Sequence, residues 1–183
     1  MIHDQDLLDR LAGFRSITFE GPLYRATGLS TDPTMPSVNG GRWSVPPRSL
    51  DGRAALYTSV EANGAIAEVV SFLAGLTPPP SERPIKVSTL AVSLREMVTI
   101  ERSDFVALGI DESDYGTRDY ARTQQIGSAL AFLGRDGLLA PSARWACSNV
   151  VIFPDNHSMD DDLEVIGTDE VLWREWAKKH GLL

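Results

Sequence analysis

Apolar and polar positions along this chain switch between helical and strand periods, and the switches divide it into elements. Leu7, Leu8 and Leu11 share one side of the stretch 4–14 and acids occupy the other, which predicts a short amphipathic helix. A β-rich passage follows from Ile17 to Ala26, with Ile17, Phe19, Leu23 and Tyr24 as its apolar members. Turn chemistry at Asp32-Pro33-Thr34-Met35-Pro36-Ser37 and at Asn39-Gly40-Gly41 then breaks the pattern. After a turn signal at Asp51-Gly52, Arg53 to Ser59 predicts a short strand. From Glu61 to Leu76 the period becomes helical: Ala62, Ile66, Val69, Leu73 and Leu76 form one face, with Phe72 at its edge. Pro78-Pro79-Pro80 ends that helix in an exposed loop.

Residues 85–101 are strand-like through Val87, Leu90, Val92 and Leu94. A second long helix is expected over 119–133 with Gly134 as its C-terminal glycine. A short apolar piece, Gly137-Leu138-Leu139, leads to a turn at Pro141-Ser142 and a strand from Asn149 to Phe153. The tail from Asp169 to His180 is expected to be a third helix carrying Trp173 and Trp176, with Lys178, Lys179 and His180 at its C-terminal end. No internal repeat and no linker interrupts the series. The fold class this predicts is α+β, one domain over 1–183.

The 183 residues suit one domain, and 43% hydrophobic content supplies an ordinary core. A net charge of −8 argues against nucleic acid or an anionic membrane as the main partner. The charge is unevenly spread. Residues 1–60 hold six arginines and six acids, so the whole excess of acid lies from residue 61 onward. Fourteen of the cationic residues are Arg and only Lys86, Lys178 and Lys179 are Lys, a bias that suits forked recognition of phosphate or carboxylate. The opening MIHDQDLLDRL has no apolar run and reads as neither a signal peptide nor a membrane anchor, so a cytoplasmic location is expected.

Several chemistries are disfavoured by inventory. Cys147 is the single cysteine, which rules out an intrachain disulfide and a Cys-rich zinc site. His3, His157 and His180 lie far apart in no ligand spacing, so no metal is expected. The run Asp160-Asp161-Asp162 with Glu164 lacks the spacing of a calcium loop and reads as a solvated turn. There is no nucleophile elbow, P-loop or dinucleotide fingerprint. Cys147 and His157 form a nucleophile and base on paper, but an apolar setting for the thiol favours a buried structural Cys.

What remains is a set of polar residues at strand ends and loops. These are Tyr24-Arg25, Gly40-Gly41-Arg42-Trp43, Tyr57 in ALYTS, Glu68 in AIAEVV, Pro141-Ser142-Ala143-Arg144, and Asn149 before VVIF. Singly, each has an ordinary explanation. Arg25 fits a surface strand position, the glycine pair fits a turn, Tyr57 fits a core, and Glu68 fits a solvated helix rim. Taken together and in this order, with Glu68 eleven residues after Tyr57, the pattern over residues 20–155 resembles the RES-domain family, toxins of bacterial toxin–antitoxin modules.

That resemblance implies an ADP-ribosyltransferase-like fold, a split and twisted β core with flanking helices around an NAD cleft. It implies an enzyme that cleaves the nicotinamide–ribose bond of NAD+ by hydrolysis or phosphorolysis, NAD+ being a substrate and no metal being needed. Glu68, Arg42 and Tyr57 match the catalytic positions of the family, while Ser142, Arg25, Tyr24, Gly41 and Asn149 match substrate-binding or accessory ones. It also implies a cognate helix-turn-helix antitoxin that blocks the cleft, with DNA touched only through that partner. Two rival functions remain open at this point. One is a mono-ADP-ribosyltransferase that uses the same donor site and a protein acceptor; the other is a non-catalytic binding domain of the same fold.

Overall fold

The computed structural model of the chain describes residues 3–49, 52–157 and 163–183. Asp51 of the expected Asp51-Gly52 turn and the expected solvated turn at Asp160-Asp161-Asp162 lie outside the described residues, as do the first two residues. The elements are α1 (Gln5–Ala12), β1 (Ser16–Thr27), β2 (Leu56–Ser59), α2 (Ala62–Ala74), β3 (Pro84–Thr99), α3 (Phe105–Leu108), α4 (Ala121–Phe132), β4 (Gly137–Pro141), β5 (Ser148–Ile152), β6 (Leu163–Leu172) and α5 (Trp173–Lys179). A 3-10 turn over Arg102–Asp104 precedes α3.

The six strands form one sheet in the order β1-β2-β5-β4-β3-β6, and β1 also pairs with β3, so the first five close into a ring. Only β3 and β4 run parallel. The long β3 makes this closure possible because its edges are used by different partners along its length. β1 lies along one edge from Ser16 opposite Val98 to Thr27 opposite Lys86. The other edge takes β6 over Pro84 to Val92 and then β4 over Met97 to Thr99.

Inside the ring, Leu23, Leu56, Leu90, Leu94, Met97, Val150 and Ile152 form a core of their own. Each such large aliphatic side chain withdrawn from water contributes about 1.5–3 kcal/mol. A second cluster joins Leu7 and Leu11 of α1, Ile126 and Leu130 of α4, and Phe105, Tyr115, Trp43 and Phe153. The third packs Ile66, Ala67, Val70 and Leu73 of α2 against Ile85, Val87, Trp173 and Trp176. The mixed α+β architecture with a central sheet and flanking helices therefore agrees with the sequence.

Three local expectations are corrected. Residues 169–172 are strand, and the last helix begins only at Trp173. β6 is an edge strand paired to β3 alone, with most of its side chains in solvent, so it shows no alternating apolar pattern that would distinguish it from a helix. Asp169 and Glu170 look like acids of a helical first turn, whereas on an exposed edge they discourage pairing with another chain. Phe72 and Leu76 are not part of the buried face of α2: they are 53% and 37% exposed, and the guanidinium of Arg118 sits 5.5 Å from the Phe72 ring centre. The face of α2 turned inward includes Gly64, Ala65, Ile66, Ala67, Val70 and Leu73, so Val69, expected on that face, instead joins Glu68 at the rim of a cavity.

Candidate functional site

β1 and β2 meet at one register pair, Tyr24 opposite Ser59, and this seam positions the site. Next to it a cavity of about 300 Å³ opens, walled by Tyr24 and Arg25 of β1, Tyr57, Thr58 and Ser59 of β2, and Glu68 and Val69 of α2. Gly40 to Trp43, Tyr120, Pro141 and Asn149 complete the wall. Seven of the eight site residues expected from the sequence thus line one cavity. The eighth, Ser142, is buried and reaches the cavity through Glu68.

Glu68 is the only carboxylate among the described cavity-lining residues. Ser142 Oγ and Asn149 Nδ2 both donate to its Oε1, each at 2.8 Å. Both donors are neutral, so they fix the carboxylate without cancelling its charge. Oε2 accepts no hydrogen bond from the described protein side chains or backbone and is left for a ligand. Ser142 has a second task, because its Oγ accepts from the backbone N–H groups of Arg144 and Trp145 at 3.1 and 3.2 Å. Its own N–H donates to Cys147 O at 2.8 Å, closing the loop on itself. Ser142→Ala removes a buried acceptor from two backbone donors and one donor from Glu68. It is expected to lower stability by about 1–3 kcal/mol, as measured by urea unfolding.

Arg25 is half-buried, and its Nη1 donates to Pro33 O at 2.8 Å. Desolvation pulls its guanidinium down to about 10, with Asp32 opposing the shift, so it remains cationic at neutral pH. No ion pair engages it among the described residues. A partly desolvated cation without a carboxylate partner favours an incoming anion. Arg42 supplies the second positive charge. Its guanidinium lies 4.5 Å from the ring centre of Tyr115 and 4.7 Å from that of Tyr120, and Nη2 donates to Thr117 O at 3.3 Å.

Tyr57 holds the turn that carries Arg42. Its hydroxyl accepts from the Trp43 N–H at 3.1 Å and pairs with Ser44 Oγ at 2.9 Å. Burial pushes the phenol up to about 12, so it is a neutral hydroxyl at any physiological pH. Gly41 is glycine for a steric reason: a Cβ there would lie 2.7 Å from the Tyr57 ring and hydroxyl. Gly40 takes φ +72°, which only glycine adopts readily. Gln124 of α4 donates to Gly41 O at 2.9 Å and ties this turn to the helix.

Cys147 differs from its expected setting. It is half-buried rather than enclosed by apolar groups, and its Sγ pairs with Ser59 Oγ at 3.2 Å. Burial pushes the thiol up, which disfavours the nucleophilic thiolate, so its structural role stands on different grounds. Sequence reasoning did not single out Tyr115, Tyr120 or Gln124. The available signal was two tyrosines in the otherwise polar stretch SDYGTRDY, where a loop gives aromatic rings no core of their own.

Among the described residues, no group of three or more His, Cys, Asp or Glu is placed to hold a metal, and no helix is long and apolar enough to cross a membrane. A family model described as "RES domain" matches residues 22–175. Among solved structures, a chain in the crystal structure of the M. tuberculosis MbcT-MbcA toxin-antitoxin complex is similar at 19% identity. The match covers 96% of this chain and 97% of that one with a TM-score of 0.77, so the two share a fold. No curated protein matches the chain.

Proposed function

The chain belongs to the RES-domain family, and on that premise we propose that it is the toxin of a toxin–antitoxin pair and cleaves the nicotinamide–ribose bond of NAD+. The observation that carries this reading is Glu68: one carboxylate oxygen held by two neutral donors, the other free, in a cavity that also contains Arg25 and Arg42.

The chemistry needs a single carboxylate. As the bond between C1′ and the nicotinamide nitrogen breaks, the bonding pair goes to the ring nitrogen and the cationic nicotinamide leaves as a neutral base. The leaving group needs no proton, so the acid partner of an ordinary glycosidase is unnecessary. Positive charge develops on the ribose. Glu68 Oε2 accepts a hydrogen bond from the 2′-hydroxyl and stabilises that charge, an interaction that strengthens from ground state to transition state. Arg25 and Arg42 hold the pyrophosphate. Tyr57 offers its ring to the nicotinamide, Tyr24 and Gly41 shape the wall, and Ser142 and Asn149 aim Glu68. Attack by water gives ADP-ribose and a proton; attack by phosphate gives ADP-ribose 1″-phosphate.

The similarity to a chain from a toxin–antitoxin complex supports an antitoxin as partner; that this antitoxin carries a helix-turn-helix portion and a segment that occupies the cavity follows from the resemblance to the family alone. The cytoplasm is then the compartment, since both NAD+ and the antitoxin are there. Mass spectrometry of NAD+ incubated with the purified chain, with and without phosphate, tests the reaction. Free nicotinamide with ADP-ribose or its 1″-phosphate is the expected result. Label from NAD+ appearing on a protein band of a cell extract would instead assign the acceptor to a protein side chain. Intact NAD+ under all conditions would leave a non-catalytic domain and overturn the proposal.

A further inference from the structure

Arg42 is held in an unusual way for a residue expected to grip a ligand. Its guanidinium carbon lies over two aromatic rings, 4.5 Å from the ring centre of Tyr115 and 4.7 Å from that of Tyr120. Among the described residues no carboxylate pairs with it, and Thr117 O takes a single long bond from Nη2. All three partners come from one short strap, residues 115–120, that precedes α4.

The strap is fixed without help from Arg42. Tyr115 is 3% exposed, its ring packs 4.6 Å from that of Phe105, and its hydroxyl donates to Pro141 O at 2.7 Å. At the other end, the carbonyl of Tyr120 accepts from the Gln124 N–H at 2.8 Å and Thr123 Oγ1 at 3.1 Å. Between them, Thr117 N–H donates to Asp114 O at 2.8 Å and Asp119 N–H to Thr117 Oγ1 at 3.2 Å. The Tyr115 ring is therefore held independently of the guanidinium, and the backbone that carries Tyr120 is anchored by the first turn of α4. Tyr120 also lines the cavity, whereas Tyr115 lines a separate neighbouring pocket that Arg42 borders as well.

We propose that Tyr120 is a positioning residue: with Tyr115 as a fixed wall, it holds the Arg42 guanidinium by its faces so that the in-plane N–H donors point at the dinucleotide's pyrophosphate. A guanidinium donates only in its plane, so covering its faces restricts its orientation while leaving its donors free. A carboxylate partner would restrict it equally but would spend donors and neutralise the charge. The proposal rests on the NAD+ reading for its ligand and on the contacts of Arg42 for its geometry.

The test compares Tyr120→Leu with Tyr120→Phe in the full chain. Arg42 Nε–Hε, identified by its loss in Arg42→Lys, is expected to resonate upfield in the parent because of the two rings. Tyr120→Leu is expected to move it downfield, raise the Michaelis constant for NAD+ about tenfold, and change kcat less than twofold. Its melting temperature should stay within about 2 °C of the parent. Tyr120→Phe keeps the ring and is expected to restore both the resonance and the Michaelis constant. An unchanged Michaelis constant in Tyr120→Leu, or a tenfold rise in Tyr120→Phe as well, overturns the proposal. If the parent neither binds nor consumes NAD+, the functional reading fails by itself, and the Arg42 resonance still decides whether Tyr120 holds the guanidinium.

Discussion

Glu68→Gln is expected to reduce NAD+ consumption by about 10²–10³-fold, the range seen when a preorganised electrostatic contact to a transition state is lost. The structure makes this substitution unusually clean. Ser142 Oγ and Asn149 Nδ2 both donate to Oε1, so the introduced amide would turn its oxygen toward them and its NH2 toward the cavity. The side chain keeps its shape and both of its protein contacts. What changes is confined to the cavity side, where an anionic acceptor for the 2′-hydroxyl becomes a neutral donor. The loss should therefore fall in kcat, with melting temperature and the Michaelis constant near those of the parent. Quantifying nicotinamide release from purified parent and variant, alongside thermal unfolding of each, checks this. Turnover at the parent rate would remove Glu68 from the reaction.

The sequence made α1, β1, α2, β3 and α4 legible because each has an apolar side facing a core, and that side imposes a period. β6 was illegible for the complementary reason. Its stability comes from backbone pairing with β3, and side chains such as Glu164, Ile166, Asp169 and Glu170 face outward without periodic constraint. Phe72 misled in the opposite direction: an aromatic on a helix resembles core, but here it lies outside under Arg118.

The candidate site divides along the same line. Residues on regular elements, Tyr24, Arg25, Tyr57, Glu68 and Asn149, were singled out because their order and spacing resemble the RES-domain pattern, and the fold brings them to one cavity. The partners of Arg42 were not. Tyr115 and Tyr120 reach it from a strap more than seventy residues away in sequence, by contacts that no local pattern encodes. The same holds for Gln124 and the Gly41 carbonyl. Long-range contacts made by loops depend on where the sheet and helices put their ends, and that is a property of the assembled fold.

Gly127→Ala is expected to destabilise the site's support strongly, by about 3 kcal/mol or more, because the methyl group has nowhere to go. A Cβ at this position of α4 would lie 1.9 Å from Trp43 O and 2.8 Å from Trp43 C. Both obstacles are backbone atoms, so no rotamer change relieves the overlap. α4 and the Gly41–Trp43 turn would have to separate by more than about 1 Å, judged against ordinary van der Waals spacing. The separation has a specific consequence. Gln124 lies one turn earlier on the same side of α4 and donates to Gly41 O at 2.9 Å, so this bond stretches along with the helix contact. Arg42 sits within that turn while its clamping ring, Tyr120, moves with α4. Gly127→Ala should therefore lower the urea midpoint and also raise the Michaelis constant for NAD+ in whatever fraction remains folded. Gly116→Ala is the matched control, since a Cβ there meets nothing within 4 Å, and its midpoint is expected to equal or slightly exceed the parent's. Equal midpoints for the two variants would show that α4 does not rest on the Trp43 backbone as closely as the structure places it.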